Sequence, residues 1–492
     1  MIWRQILGYL PLNIVQGLTG FGAIVILTRL LSPEDYGRYA LVLAVVQLAH
    51  VACFSWLHGA MARFYAAAKR DHWLSRYLAT GYVLFGSCAA LVAGIYILVL
   101  SIWAPEPRLE TTLYFGLGVL IMRAFLMVGL EVHKSAQHIA RFAGLEMLYS
   151  LLGLGLGILI IMKTNLGAAG PLAGLALAAL VCLIIDLPRQ LSALRTHPNP
   201  DFNSARRFLV YGVPVSLSLI LEQTLFSSDR FLIEYFLGES SVGVYAAAHA
   251  LANRTLDVLF IWLAASALPF ALSTLETQGT EKTRAVMRHY GEILLFITLP
   301  AAAGLALVAG PLASVMVGQE FRSAATMIIP WIALAAFMNG IMTYYIHHAF
   351  IFAERTGTMA AAMIAPVIAN IVLNIFLLPS WGLRGALIAT VCAYGLGLIL
   401  CTVIARRYFP LPLLFKPFLR TAFAVVVMAV GVASLKLNPD VAGLALGTIT
   451  GIALYGFMAL LLNLADCRTF ILGLRARLAA LRLRGQNHAE GR

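Results

Sequence analysis

The chain has 492 residues, 61% of them hydrophobic and only 12% charged, with a mean hydropathy of +0.87. Soluble domains carry about 25% charged residues, so the composition excludes a water-soluble globular enzyme. The formal net charge of +13 sits mostly in short segments between apolar stretches, where an anionic membrane leaflet, not nucleic acid, is the fitting partner.

A bilayer-spanning helix needs about 20 mostly apolar residues. Fourteen stretches qualify, at 6–30, 39–61, 77–102, 112–132, 143–162, 168–187, 208–236, 243–270, 291–317, 324–352, 358–378, 383–405, 419–435 and 441–464. The first stretch continues as a full span with no small-residue cleavage site after it, so no cleaved signal is expected. Its gap to the second, Ser32-Pro33-Glu34-Asp35, is acidic. The second gap carries Arg63, Lys69, Arg70 and Arg76, the third is Ala104-Pro105-Glu106-Pro107, and the fourth has Lys134 and Arg141. The sixth holds Arg189, Arg195, Arg206 and Arg207 with Pro198 and Pro200; the eighth Lys282, Arg284 and Arg288; the tenth Arg355; the twelfth Arg406, Arg407, Lys416 and Arg420.

Twenty-five of the 35 Lys and Arg residues therefore fall in the termini and alternate gaps, and the remaining gaps hold seven. Cytoplasmic loops collect Lys and Arg, which puts the even gaps and both termini in the cytoplasm. After Asp466, Phe470, Leu474, Leu478 and Leu481 share one helical face and Arg468, Arg475 and Arg482 another. This reads either as a basic amphipathic helix on the inner leaflet or as a solvated basic tail. The six cysteines form no CxxC pair and read as packing residues, with no disulfide framework or metal site.

Two segments repeat 206 residues apart. Leu31-Ser-Pro-Glu-Asp-Tyr-Gly37-Arg-Tyr39-Ala40 and Leu237-Gly-Glu-Ser-Ser-Val-Gly243-Val-Tyr245-Ala246 both read L-x5-G-x-Y-A. Gly167-Ala-Ala-Gly170 and Gly382-Leu-Arg-Gly385 match at an offset of 215. Six stretches separate the copies, and an even number preserves orientation. The expected architecture is an all-α polytopic membrane protein of about 14 transmembrane helices. It has two parallel-repeat six-helix lobes, 1–187 and 208–405, joined by a cytoplasmic linker at 188–207. Two extra helices (406–465) and a basic cytoplasmic tail (466–492) follow.

Three arginines fall within spans: Arg123, Arg230 and Arg254. Such a residue costs about 2.5–3.5 kcal/mol at a helix centre and faces protein or a water-filled cavity. Arg230 has Glu234 four residues on and Arg254 has Asp257 three on, so each is either locally paired or a substrate contact. Arg123 has only Val119, Leu120, Leu126 and Met127 at those spacings, which leaves another helix, water or an anionic substrate. Glu222 and Asp229, seven apart, share a face; they, with Asp257, are candidates for coupling or counter-charge. Glu131, Glu146 and Glu292 lie near helix ends and read as interfacial. Asn13 with Gln16 and Gly20, Gln47 with His50, Asn339 with Thr343 and His347, and Asn370 with Asn374 form polar stripes. These suit either sugar hydroxyls or interhelical hydrogen bonds. There is no Walker A loop and no HExxH.

Several motifs, in this order, resemble the polysaccharide-exporter (Wzx-type flippase) branch of the multidrug/oligosaccharidyl-lipid/polysaccharide (MOP) exporter superfamily. They are Leu30-Leu31-Ser-Pro-Glu-Asp-Tyr-Gly37-Arg-Tyr39-Ala-Leu, Tyr211-Gly212-Val-Pro214, Asp229-Arg230, Leu237-Gly238, Gly243-Val-Tyr245, Asn370-Ile-Val-Leu-Asn374 and Gly382-Leu-Arg-Gly385-Ala. The resemblance covers the first twelve stretches. It implies a flippase that moves an undecaprenyl-diphosphate-linked oligosaccharide from the inner to the outer leaflet by alternating access, for O-antigen, capsule or exopolysaccharide synthesis. It also implies residence in the bacterial inner membrane, no cofactor beyond a coupling H+ or Na+, and polysaccharide polymerase and chain-length regulator partners. Arg123, Arg230 and Arg254 are then the diphosphate or acidic-sugar contacts. Many members have twelve helices, so the extra pair departs from the pattern. An ion-coupled multidrug (MATE-like) antiporter and a lipid II flippase are the alternatives. A membrane-embedded glycosyltransferase or polymerase usually has a large outside loop rich in acids or arginines, and every odd gap here is short.

Overall fold

A computed structural model describes residues 2–194 and 200–468. Among them the regular structure is helical. The helices are α1 (Ile2–Leu30), α2 (Pro33–Cys53), α3 (Ser55–Arg70), α4 (Leu74–Trp103), α5 (Pro107–Ser135), α6 (Ile139–Lys163), α7 (Ala169–Leu194), α8 (Phe202–Leu237) and α9 (Glu239–Leu307). After them come α10 (Ala309–Met316), α11 (Arg322–Ile341), a π turn (Met342–Ile346), α12 (His347–Phe352), α13 (Thr356–Ala362), α14 (Ile364–Trp381), α15 (Leu383–Tyr408), α16 (Phe415–Ala433) and α17 (Val441–Leu462). Twelve described helices are long and apolar enough to cross a membrane, thirteen with the bent α8. The 69-residue α9 is broken at Gly279 (φ 79°) and contains the expected stretch 243–270 and most of 291–317, which runs on into α10. Along α4, Leu91, Ile95, Leu98, Ile102 and Trp103 are exposed. A face of that size and apolarity needs lipid against it.

Two expected gaps are helical. Arg63, Lys69 and Arg70 lie on α3, which leaves α2 at the non-helical Phe54 (φ −122°, ψ −24°). Lys282, Arg284 and Arg288 lie on the second arm of α9. Ala, Lys and Arg make up half of α3, and Glu, Lys and Arg recur in the second arm of α9; these are strong helix formers in water or at an interface. The expected tail helix around Phe470–Leu481 lies outside the described residues, as do Arg195 and Pro198 of the expected linker.

The chain forms two compact units. The first comprises Met1–Ala248, Met316–Ala324 and Met363–Ala389; the second His249–Val315, Ala325–Ala362 and Thr390–Arg492. In the second, α16 pairs with α17. Tyr455 ties that pair to α9 by donating to the Phe296 carbonyl at 2.7 Å.

In the first unit the two copies of L-x5-G-x-Y-A touch each other. A Cβ on Gly37 would overlap the carbonyl oxygen of Glu239, and a Cβ on Gly243 would overlap that of Pro33. Pro33 and Glu239 are the same position of the repeat, as are Gly37 and Gly243. The contact is thus reciprocal, the signature of two-fold symmetry. The second motif is matched too: Gly167 and Gly382 both turn with positive φ (49° and 57°), and Gly170 and Gly385 both pack tightly on the preceding helix. Arg38 buttresses the first contact. Its side chain is buried and meets Glu34 at 2.6 Å, Asp35 at 3.5 Å, Glu106 at 3.3 Å and Glu239 at 2.6 Å.

Near the other end of α5–α7, Asp186 is fully buried. It accepts hydrogen bonds from His133 (2.9 Å), Arg141 (2.9 Å) and Gln190 (2.8 Å). Tyr82 of α4 donates to Gln190 at 2.9 Å. At the start of α8, Asp201 caps the helix through the Asn203 and Ser204 amides and the Ser204 hydroxyl (2.7 Å). These bonds, the Ser204 hydroxyl first, hold its carboxyl below the usual carboxylate range.

Three outcomes are expected. Gly243→Ala forces the two motif copies apart and costs about 1–3 kcal/mol, the scale of overpacking. The detergent-solubilised protein should melt lower, whereas Gly59→Ala, with nothing near its Cβ, should not. Asp186→Asn removes the buried carboxylate shared by His133 and the half-buried Arg141 and costs about 1–3 kcal/mol, read in the same melt. The Asp201 cap is intact above the ordinary carboxylate value and is lost as pH falls through its depressed one. Amide exchange at Asn203 and Ser204 should therefore speed up, relative to unstructured amides, only below about pH 4, and at all pH values in Asp201→Ala.

Candidate functional site

One group of polar side chains in the first unit gathers around Arg123. On α5, Leu120, Ala124 and Leu126 are fully buried and fix the helix's rotation, which turns Arg123 toward α6. There Glu146 and Tyr149, three residues apart and so on one face, receive it. Arg123 Nη2 donates to Glu146 Oε1 at 2.8 Å and Oε2 at 3.1 Å. The guanidinium carbon lies 4.2 Å from the Tyr149 ring centroid, a cation–π geometry. From α1, Gln16 Nε2 donates to Glu146 Oε2 at 3.4 Å. The Glu146 side chain is 6% exposed and that of Arg123 22%. Glu146 is therefore not interfacial: its counter-charge draws it into the protein.

Two histidines adjoin this pair. The rings of His50 (α2) and His58 (α3) stack with centroids 5.2 Å apart. His58 Nε2 lies 3.1 Å from the Ala124 carbonyl, which fixes a proton on that nitrogen. One turn from His50, Gln47 accepts from Gln223 of α8 at 3.4 Å. Ser55 and Ser216 Oγ atoms lie 2.7 Å apart between α3 and α8. Arg123 keeps one unspent donor: Nη1 is buried with no hydrogen-bond partner. A buried donor left unmade costs about 1–3 kcal/mol, so an incoming acceptor gains that much in addition to its charge attraction.

The other expected residues lie elsewhere. Arg230 is buried beside Tyr245, Tyr36 and Tyr39, with its guanidinium 5.5 Å from the Phe226 ring, and its Nε has no hydrogen-bond partner. No ion pair with Glu234 forms among the described residues. Tyr39 and His50 are separated by eleven residues of α2, about 16 Å along the helix, so Arg230 and Arg123 mark different depths. Asp229 accepts from Tyr245 (2.8 Å) and Asn374 (2.8 Å). Asn370 accepts from Ser228 (2.9 Å). These groups form a buried seam of α8, α9 and α14. Glu222, expected on the same face as Asp229, is exposed, as is Asn13.

In the second unit, Arg254 is exposed. Asp257 accepts from Asn253 at 2.5 Å and is not in ion-pairing contact with Arg254. Thr343 donates to Asn339 at 3.4 Å, and His347 Nε2 is buried with no partner. Sequence reasoning missed Glu146, Tyr149 and His58 as neighbours of Arg123. The spacing of Glu146 and Tyr149 was the available signal.

A sequence profile of the family described as polysaccharide biosynthesis protein matches residues 26–326. The probable low-salt glycan biosynthesis flippase Agl15 of Haloferax volcanii is 22% identical over 395 residues, 79% of this chain and 80% of that protein. Among solved structures, a lipid II flippase MurJ in an inward closed conformation aligns with a TM-score of 0.75 at 15% identity, covering 95% of this chain and all of that one. An inward-facing multidrug resistance MATE family transporter of the MOP superfamily aligns with a TM-score of 0.64 at 17% identity, covering 80% of this chain and 94% of that one. These likenesses establish the MOP transporter fold, and the profile match establishes that the chain belongs to the polysaccharide biosynthesis protein family.

Proposed function

We propose that the chain is a flippase that moves an undecaprenyl-diphosphate-linked oligosaccharide from the inner to the outer leaflet of a bacterial cytoplasmic membrane. The two expected six-helix lobes would alternate access, with both termini in the cytoplasm. The observation that carries the reading is Arg123: a guanidinium inside the helices, backed by an aromatic ring, with its Nη1 donor group unspent. An anion there gains a charge-assisted hydrogen bond, shorter and about twice as strong as a neutral one. Gln16, Gln47 and His50 supply polar contacts for sugar. The exposed Arg254 and the buried Arg230 are further candidate contacts for the diphosphate or acidic sugars. Glu222, Asp229 and Asp257 are the acids offered to a coupling H+ or Na+. Anionic lipids, a polysaccharide polymerase and a chain-length regulator are the proposed partners.

A multidrug antiporter would present unpaired carboxylates to a cationic drug, whereas both Asp229 oxygens are engaged. A lipid II flippase is the second reading, prompted by an alignment that spans 95% of the chain. Its cargo carries the same diphosphate, so Arg123 would serve equally.

Arg123→Ala removes about 1.5–3 kcal/mol of charged hydrogen bonding, roughly ten- to a hundredfold in transport. Lipid-linked oligosaccharide should accumulate in the inner leaflet of cells carrying the variant. Unchanged export would remove Arg123 from the site, and rescue by lipid II transport in vesicles would favour the second reading.

A further inference from the structure

Among the described residues Arg123 has a single carboxylate partner, Glu146, and that carboxylate has no other cation. An anion that takes over the guanidinium leaves Glu146 buried, unpaired and beside new negative charge. Both effects favour its neutral form. We propose that Glu146 is a proton-coupling residue: an anion and a proton enter this site together, the anion replacing Glu146 at Arg123 while Glu146 is protonated. This rests on the reading of Arg123 given under the proposed function.

Among the described residues the surroundings leave no alternative counter-charge. From α1, Gln16 faces Glu146 and is uncharged. From α5 comes Arg123 itself. From α7 come Cys182, whose Sγ meets the Leu145 carbonyl at 3.7 Å, and Asp186, which is already held by His133, Arg141 and Gln190. On α6 itself, Tyr149 lies over the Arg123 face. His50 and His58 lie on the Arg123 side of the pair, with their rings stacked.

The bookkeeping of the step is simple. One O–H bond forms on a Glu146 oxygen, with the proton taken from solvent, and both Arg123 Nη2 contacts, to Oε1 and Oε2, pass from Glu146 to the anion. When the anion leaves, the proton leaves and the pair re-forms. Neutral Glu146 still offers Gln16 a carbonyl acceptor, so the site keeps its shape. The proton here is a charge companion that lowers the net charge of the loaded site. By linkage, the anion strengthens proton binding by the same factor as the proton strengthens anion binding.

The test uses the full chain in nanodiscs, with farnesyl diphosphate as probe and Glu146→Gln as the permanently neutral form. In the wild type, affinity should rise toward about tenfold per pH unit between about pH 8 and pH 6, the limit for one linked proton. Glu146→Gln should bind at about pH 8 as tightly as the wild type does at about pH 6, keeping only the slope that belongs to the probe's own ionisation. An indicator dye should report about one proton more taken up on binding by the wild type than by the variant. Equal slopes and equal uptake in the two proteins would overturn the coupling while leaving the anion site. Absence of binding by both, or undiminished binding by Arg123→Ala, would instead overturn the Arg123 reading and the coupling with it.

Discussion

Inside a hydrocarbon layer no water is available to share a charge, so an ionised side chain must bring its own counter-group. The first unit meets this constraint in three different ways along its helices. At one end Arg38 is surrounded by Glu34, Asp35, Glu106 and Glu239. Near the other, Asp186 is surrounded by His133, Arg141 and Gln190. Between them, Arg123 and Glu146 stand one to one, with a donor to spare. The outer two clusters are over-supplied with partners and hold helices together. The middle one is balanced by a single bond, and a balance of that kind can be tipped by a visiting charge.

The same constraint explains what could be read from the chain alone. Spans and their charged gaps are local properties, and they emerged with nearly the right bounds. The L-x5-G-x-Y-A repeat was legible because glycine is irreplaceable where two backbones meet, as at Gly37 and Gly243. Partners of buried charges were not legible. Glu146, seven residues after the start of α6, looks interfacial from its neighbours, and only the packing of α5 on α6 reveals its role. Conversely, Arg230 with Glu234 and Arg254 with Asp257 have ideal helical spacing and do not pair, since Asp257 is taken by Asn253. Spacing shows which side chains share a face, not which of them the tertiary structure brings together.

Charged segments misled in another way. The second and eighth gaps were read as loops because they are polar, yet α3 and the second arm of α9 are regular helices. Polarity says that a segment is wet. It does not say that the segment is irregular, and residues such as Ala, Glu, Lys and Arg keep a helix going after it leaves the lipid. Phe54 and Gly279 mark where direction changes.

The reciprocal approach of Pro33 to Gly243 and of Glu239 to Gly37 bears on how such a chain arose. A surface that fits its own rotated copy is, before any gene fusion, the surface of a homodimer. A half-length ancestor of six helices, all inserted with one polarity, would have paired with itself through this same glycine contact. Fusion of two such copies would join subunits that already fit, and would free each copy of the motif to diverge, as at the matching positions Arg38 and Val244.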